Sequence, residues 1–107
     1  MKSNIIQATG DIIRQLREER QLPLRKIAAV LDIDTSYYSK IERSEKKATK
    51  EQIQKLEDFF KLEKDSIMIP FLSEKILYEI SEEECAEQVL KVAEKKVKYL
   101  KAQKHNI

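Results

Sequence analysis

The chain has 107 residues, of which 37% are charged and 41% hydrophobic, with one glycine and two prolines. This length supports one modest hydrophobic core, and the scarcity of glycine and proline favours an all-α chain with short connections. No apolar run approaches the roughly 20 residues that span a bilayer. The polar N-terminus does not resemble a signal peptide, and the single cysteine excludes an internal disulfide. We therefore expect a cytoplasmic protein with no membrane segment.

The net charge of +2 conceals three local imbalances. Residues 23–50 carry seven cations and four anions, a local excess of +3. Residues 79–87 carry five carboxylates and no cation, whereas residues 95–104 carry five lysines and no anion. Because screening confines charge effects to about 8–10 Å, the local excess is more informative than the total. Such runs are usually solvated helix faces, but the excess in residues 23–50 also favours phosphate binding.

Apolar residues at three- and four-residue steps predict six helices and no strand. In chain order the predicted helices are Asp11 to Arg20, Pro23 to Leu31, Thr35 to Arg43, from a Thr49 cap to about Leu62, Ser66 to about Ile80, and from a Ser81 cap to about Lys104. Their apolar faces predict a core. It comprises Ile12, Ile13, Leu16, Leu24, Ile27, Ala28, Leu31, Tyr38, Ile41, Ile53, Leu56, Phe59 and Phe60.

Helix starts are marked by residues that suit free backbone N–H groups. Pro23 suits the first helical position because it has no N–H, and Asp34 suits an N-cap. Thr49 and Ser81 each stand three residues before a Gln or Glu, which predicts two capping boxes. Asp65 predicts a cap for the fifth helix.

The third predicted helix has only Tyr38 and Ile41 as core positions. An outward face of hydroxyls, one tyrosine and cations is typical of a helix that enters the DNA major groove. Alternatively, Tyr37 is a surface aromatic residue that contacts no ligand. The outward residues are Thr35, Ser36, Tyr37, Ser39, Lys40 and Arg43.

The sequence has no catalytic constellation. It lacks a Ser/His/Asp set, a phosphate-binding glycine loop and a metal-ligand cluster. His105 is a lone imidazole near the end of the chain. Cys85 lies beside glutamates, which oppose thiolate formation, and we interpret it as a packing residue. We expect no metal, no cofactor and no enzymatic activity.

Residues 10–62, and most closely residues 16–44, resemble the Cro/C1-type helix-turn-helix family, also called the XRE family. The resemblance rests on arginines in the first helix, a small residue inside the second, the turn, the third helix and its Ile-Glu-Arg-Ser exit. These are Arg14, Arg17, Leu22, Ala28, Asp32 to Asp34, Thr35 to Lys40, and Ile41 to Ser44. It implies a lambda-repressor-like DNA-binding domain that binds double-stranded DNA.

The resemblance also implies a role for each matching residue. Thr35, Ser36, Tyr37 and Lys40 would contact base edges. An ion pair between Arg17 and Glu42 would tie the first helix to the third. The residues expected to contact phosphate are Arg14, Arg25, Ser39, Arg43, Lys46, Lys47 and Lys50.

Three positions depart from the family pattern. Leu24 replaces a polar phosphate-contacting residue, and Arg25 is the expected substitute. Ser44 replaces the glycine that commonly ends the third helix, and Pro23 replaces a hydroxyl cap.

The resemblance to the family ends near Leu62, and the chain continues for two more predicted helices. We therefore predict a DNA-binding domain of residues 1–64 and a C-terminal helical extension of residues 65–107. Pro70 predicts a kink or a late start in the fifth helix. The last two helices either cover the core or form a homodimer, and dimerisation is favoured because one helix-turn-helix contacts few base pairs. The expected dimerisation residues are Leu72, Ile76, Val89, Ala93, Val97 and Leu100.

The sequence therefore predicts a sequence-specific transcriptional regulator, a repressor or autoregulator that binds a pseudo-palindromic operator. An alternative is an antitoxin-like or adaptor protein whose C-terminal helices bind another polypeptide. A controller protein of a restriction–modification system also fits the length and helix count.

Overall fold

A computed structural model describes residues 7–105, with side chains through Lys104. Over this range the chain forms six α-helices and no strand, which confirms the all-α prediction. No helix among them is long and apolar enough to cross a membrane. Predictions for the first six residues and for the His105 side chain lie outside the described residues. The helices are α1 (Thr9–Glu19), α2 (Leu24–Leu31), α3 (Thr35–Glu42), α4 (Lys50–Phe59), α5 (Met68–Ile80) and α6 (Ala86–His105).

The chain divides into two compact units, and the division falls inside α5. The first unit ends at Lys75 and the second begins at Ile76. Ile67 and Phe71, which follow the predicted domain boundary at residue 64, are buried in the core of the first unit. The assignment of residues 1–64 to DNA binding and of residues 65–107 to dimerisation stays a prediction.

One cluster of buried side chains holds the first unit together. It consists of Ile13, Ile27, Ala28, Leu31, Tyr38, Ile41, Ala48, Ile53, Leu56, Phe60, Ile67 and Phe71. Burying a large apolar side chain contributes about 1.5–3 kcal/mol, so this cluster is the main source of stability. Tyr38 is completely buried, as the sequence predicts. Four other predicted core residues are only partly buried: Ile12, Leu16, Leu24 and Phe59.

Four helices end in the same way, although none of these ends has a glycine. The residue after the last turn has a positive φ in each case: Gln21 (53°), Asp32 (57°), Ser44 (63°) and Lys61 (56°). At each end, two backbone N–H groups donate hydrogen bonds to carbonyl oxygens of the last turn, with N···O distances of 2.8–3.2 Å. This is the Schellman arrangement, which normally favours glycine because other residues lose about 1 kcal/mol in the left-handed region. Backbone bonds, not glycines, therefore end these helices.

The starts of α2, α3 and α4 differ from one another. Pro23 is the N-cap of α2 and not its first helical residue, so that prediction is wrong by one position. Asp34 is the N-cap of α3 as predicted, but its exposed side chain makes no capping hydrogen bond within the described chain. At α4 the Thr49 hydroxyl accepts the N–H of Gln52 at 3.1 Å, and the Gln52 side chain accepts the N–H of Thr49 at 2.9 Å. This capping box is confirmed.

A carboxylate from α4, not Asp65, satisfies the start of α5. One carboxylate oxygen of the buried Glu57 accepts the N–H groups of Ile67 and Met68, both at 2.8 Å. Asp65 lies earlier, in a turn with a φ of 68°, so its predicted capping role is wrong. Because α5 begins at Met68, Pro70 is its third residue and lies in the first turn, where proline is tolerated. The predicted late start is confirmed.

A second carboxylate satisfies the start of α1. Glu74, on α5, accepts the backbone N–H of Thr9 at 2.9 Å and also the Thr9 hydroxyl. Glu57 and Glu74 therefore bind α5 to the rest of the first unit from two sides.

The predicted cap of α6 at Ser81 is wrong. The N–H of Ser81 bonds to the carbonyl oxygen of Leu77 at 2.9 Å, so Ser81 continues the last turn of α5. Residues 81–85 form turns, and α6 begins at Ala86.

Gly10 lies where α1 crosses the end of α3. A Cβ atom at this position would stand 2.6 Å from the carbonyl oxygen of Ile41 and closer still to that of Glu42. Both atoms belong to the backbone, which cannot move aside as a flexible side chain can. The close approach of the two helices therefore requires glycine.

We predict that Gly10→Ala lowers the free energy of unfolding by about 2–3 kcal/mol, because the clash outweighs the roughly 1 kcal/mol by which alanine favours a helix. Urea unfolding of the full chain measures this. Gln15→Ala, at an exposed position of α1, serves as the control and should stay within about 0.5 kcal/mol. Equal stability of Gly10→Ala and the parent would contradict the close approach.

We predict that Ser44→Gly raises the free energy of unfolding by about 0.5–1 kcal/mol, since it removes the strain of a positive φ. Ser39→Gly, inside α3, should instead lower it by about 1 kcal/mol. Urea unfolding of both variants compares the two sites. A loss of stability on Ser44→Gly would show that the hydroxyl, not the backbone, matters there.

Candidate nucleic-acid interface

The connection between α2 and α3 is a three-residue turn of fixed geometry. Asp32 takes the left-handed conformation, and the N–H of Ile33 bonds to the carbonyl oxygen of Ala28 at 3.0 Å. The carbonyl oxygen of Asp34 then accepts the N–H of Tyr38 at 3.0 Å and opens α3. Both helices are eight residues long, so the turn sets the angle at which α3 leaves α2.

The two faces of α3 have different environments. Its buried face consists of Tyr38, Ile41 and Glu42, and it packs against α1 and α2. Its opposite face carries two hydroxyls, a phenol ring and an ammonium group, which can donate or accept hydrogen bonds at base edges. Four residues of that face are exposed: Thr35, Ser36, Tyr37 and Lys40. Ser39 is half-buried.

A buried ion pair joins α1 to the end of α3. The Nε and Nη2 atoms of Arg17 donate to the two carboxylate oxygens of Glu42 at 2.7 and 2.9 Å. The Nη1 atom of Arg17 donates to the carbonyl oxygen of Leu22 at 2.9 Å. The hydrogen bond from the Arg17 side chain to Glu42 raises the pKa of Arg17 despite burial. One guanidinium therefore joins α1, the α1–α2 connection and α3.

The hydroxyl of Tyr38 is buried beside this pair. Burial raises the pKa of Tyr38, and the neighbouring Glu42 carboxylate raises it further, so the phenol stays protonated. Its oxygen has no partner in hydrogen-bond geometry among the described residues. The phenol ring fills the core below α3, and the hydroxyl is a neutral neighbour of the ion pair.

The cations expected to contact phosphate fall into two groups. Arg14 forms ion pairs with Asp11 at 3.3 Å and Glu18 at 3.8 Å, and Arg43 pairs with Glu45 at 2.8 Å. These partners reduce the positive potential at both arginines. The others are exposed, and three of them have no ion pair within the described chain: Arg25, Lys46 and Lys50. Lys47 is exposed beside them. Lys40, which is expected to contact a base edge, has no ion pair among the described residues either.

The beginning of α3 has an acidic border. Asp32 and Asp34 line a shallow open groove with Tyr37 and Gln52. Two carboxylates at this edge repel phosphate groups, whereas Lys40 and Lys46 lie toward the opposite end of α3. The charge on the surface is thus graded along α3, from acidic at its start to basic at its exit.

The expected dimerisation residues are on α5 and α6, and each is exposed. Leu72 and Ile76 belong to α5, with 36% and 49% of their surface exposed. None of the described residues from 76 to 104 is buried. The α6 members of the set are Val89, Ala93, Val97 and Leu100.

Glu57 and Glu74, which orient α5, were not predicted from the sequence. A signal for Glu57 was present, because it lies on the apolar face of α4, three residues before Phe60. A carboxylate on an apolar face needs a buried partner. No comparable signal marks Glu74.

The described residues contain no group of three or more potential metal ligands. A family model described as "Helix-turn-helix" matches residues 13–67, slightly more than half of the chain. Comparisons with curated proteins and with solved structures found no match.

We predict that Glu42→Gln lowers the free energy of unfolding by about 1.5–3 kcal/mol, because it removes two charge-assisted hydrogen bonds from the largely buried Arg17 guanidinium and leaves it only the exposed Glu18 carboxylate, 3.9 Å away. The double variant Arg17→Met/Glu42→Leu should lose less, since neither charge remains buried. Glu45→Gln breaks the exposed pair with Arg43 and should stay within about 1 kcal/mol. Urea unfolding measures all three, and equal losses for Glu42→Gln and Glu45→Gln would contradict a structural role for the buried pair.

Proposed function

This chain belongs to the Cro/C1-type helix-turn-helix family, the XRE family, whose members bind DNA and are generally non-enzymatic, and we propose that it is a sequence-specific transcriptional regulator. The observation that carries the proposal is the exposed polar face of α3, which is anchored from behind by the Arg17–Glu42 pair. A rigid helix with an exposed polar face is what base readout in the major groove requires.

In this proposal α3 enters the major groove. Thr35, Ser36 and Tyr37 contact base edges from its first turn, and Lys40 contacts a guanine one turn later. The acidic border at Asp32 and Asp34 supports an orientation in which the start of α3 points at bases, away from phosphates.

Phosphate contacts would hold the protein in register on the duplex. Arg25, Lys46 and Lys50 support this role most strongly, because their charges are exposed and have no ion-pair partner among the described residues. Ser39 and Lys47 complete the surface. Arg14 and Arg43 would have to exchange their present carboxylate partners for phosphate.

We propose that the regulator acts as a homodimer through the exposed apolar residues of α5 and α6. Two symmetric copies would place their α3 helices about 34 Å apart, one turn of B-DNA, and bind a pseudo-palindromic operator. Binding at a promoter would block transcription, which makes the protein a repressor or an autoregulator.

A second candidate function follows from the same exposed residues. An antitoxin-like or adaptor protein would use this apolar surface to bind another polypeptide. The two functions are compatible, since an antitoxin can repress its own operon.

We predict that Lys40→Ala weakens binding to a preferred duplex by about 1–3 kcal/mol, roughly 5- to 150-fold, and relaxes specificity at one base position. The duplex is first selected from random DNA with the full chain, and affinity is measured by fluorescence anisotropy. Lys64→Ala, which removes an exposed lysine from the α4–α5 connection, is the control and should bind like the parent.

Lys46→Ala tests the phosphate role in the same assay. It should weaken preferred and unrelated duplexes alike and lower the salt dependence of binding by about one unit of slope. If no duplex is bound at low salt, the proposed regulatory function is wrong.

A further inference from the structure

Five apolar residues of α6 form a regular stripe, of which Ala86 is half-buried and the other four are exposed. Ala86, Leu90, Ala93, Val97 and Leu100 follow one another at steps of four, three, four and three residues. Leu90, Val97 and Leu100 have 45–56% of their surface exposed. Apolar residues spaced 3.5 residues apart on average are typical of the interface of a two-helix coiled coil. In such an interface the apolar side chains of one helix pack between those of the facing helix. We call the surface formed by these five residues the α6 seam.

The charge along this part of the chain is polarised. Five carboxylates precede or open α6 within residues 79–87, and five lysines follow within residues 95–104. Two copies in parallel would bring carboxylates beside carboxylates and lysines beside lysines. Two antiparallel copies would bring each acidic end beside a basic end, which favours that orientation.

We propose that α6 pairs with α6 of a second copy in antiparallel orientation, about a two-fold axis at Ala93. This inference rests on the homodimer of the proposed function and specifies its interface. The protein itself supplies the complementary charge at both ends, so the occupant of the α6 seam is a second copy of this chain.

Side-chain sizes along the α6 seam agree with this axis. When two copies cross at Ala93, Ala86 of one lies opposite Leu100 of the other, and Leu90 lies within one residue of the level of Val97. Small residues then face large ones at both ends, while two alanines at the axis let the helices approach closely. A parallel pair would instead place Ala86 opposite Ala86 and leave a gap.

The charges that flank the α6 seam also favour antiparallel pairing. Glu87 and Lys101 border the α6 seam on the same side, and antiparallel pairing places each beside the other residue of the second copy. Glu94 comes near its own counterpart at the axis, and this repulsion is offset because Lys98 of the same helix pairs with Glu94 at 3.1 Å.

Charge reversal tests the orientation on the full chain by sedimentation equilibrium. Glu87→Lys should raise the dimer dissociation constant about tenfold, because two attractions become repulsions, and Lys101→Glu should do the same. Glu87→Lys/Lys101→Glu together should return it to within about twofold of the parent value. In a parallel pair these residues are about 21 Å apart, and Glu87→Lys alone would strengthen the dimer, which would overturn the proposal.

Disulfide trapping tests it independently, in a Cys85→Ser background. Under mild oxidation a mixture of Ala86→Cys and Leu100→Cys chains should give mixed dimers, whereas Ala86→Cys alone should give none. Cross-linking of Ala86→Cys alone, or failure of the mixture to cross-link, would overturn antiparallel pairing. Helix content by circular dichroism checks that each variant is folded.

The outcomes separate this inference from the proposed function. A dimer that persists through every charge reversal and does not cross-link uses another surface, so the inference fails while the homodimer stands. A monomer at tens of micromolar overturns both the inference and the homodimer. DNA binding, measured by anisotropy on the same samples, decides the regulatory function by itself.

Discussion

The ion pair between Arg17 and Glu42 is the constraint on which the position of α3 and its exposed polar face depends. Glu42 is on the buried face of α3, with 4% of its side chain exposed, so its charge requires a partner in a fixed place. Arg17 meets this need with two hydrogen bonds and uses its third nitrogen on Leu22. The cost of removing both charged groups from water offsets much of the attraction between them. The main effect of the pair is therefore to fix the position of α3 relative to α1. The packing of α1 on α3 at Gly10 depends on the same contact, because both lie where these helices cross.

A second constraint comes from the ends of the helices. A chain with one glycine ends four consecutive helices on residues that disfavour a positive φ, and each end is held by two backbone hydrogen bonds. The strain of a positive φ is tolerated at these four positions because packing in the core fixes the residues before and after each helix end. The positions are Gln21, Asp32, Ser44 and Lys61. At these helix ends, tertiary packing overrides the local preference of each residue for a negative φ. Packing therefore also sets the length of α3 and the size of its exposed face.

Residue patterns predicted much of the fold, because helical periodicity reports which face is buried. They placed Tyr38 in the core and the capping box at Thr49 correctly. They failed at Asp65 and Ser81, since helix starts are satisfied by whichever acceptor the tertiary fold brings near, and at α5 that acceptor is Glu57 from another helix. The composition of the exposed face of α3 was predictable in the same way. Whether a cation on the surface has an ion-pair partner was not, because that depends on side-chain positions and not on spacing.

The second unit has a different source of stability. An isolated helix of 20 residues is marginal in water, and α6 has no buried side chain among its described residues. Its local support is small: a Glu94–Lys98 pair and a hydrogen bond from Gln103 to Tyr99 add about 0.2–0.5 kcal/mol each. Exposed valines reduce helix propensity further. Pairing along the α6 seam would bury these apolar residues and stabilise the helix that presents them. If the proposed dimer forms, the folding of α6 and the pairing of two α3 helices would be one equilibrium, governed by protein concentration.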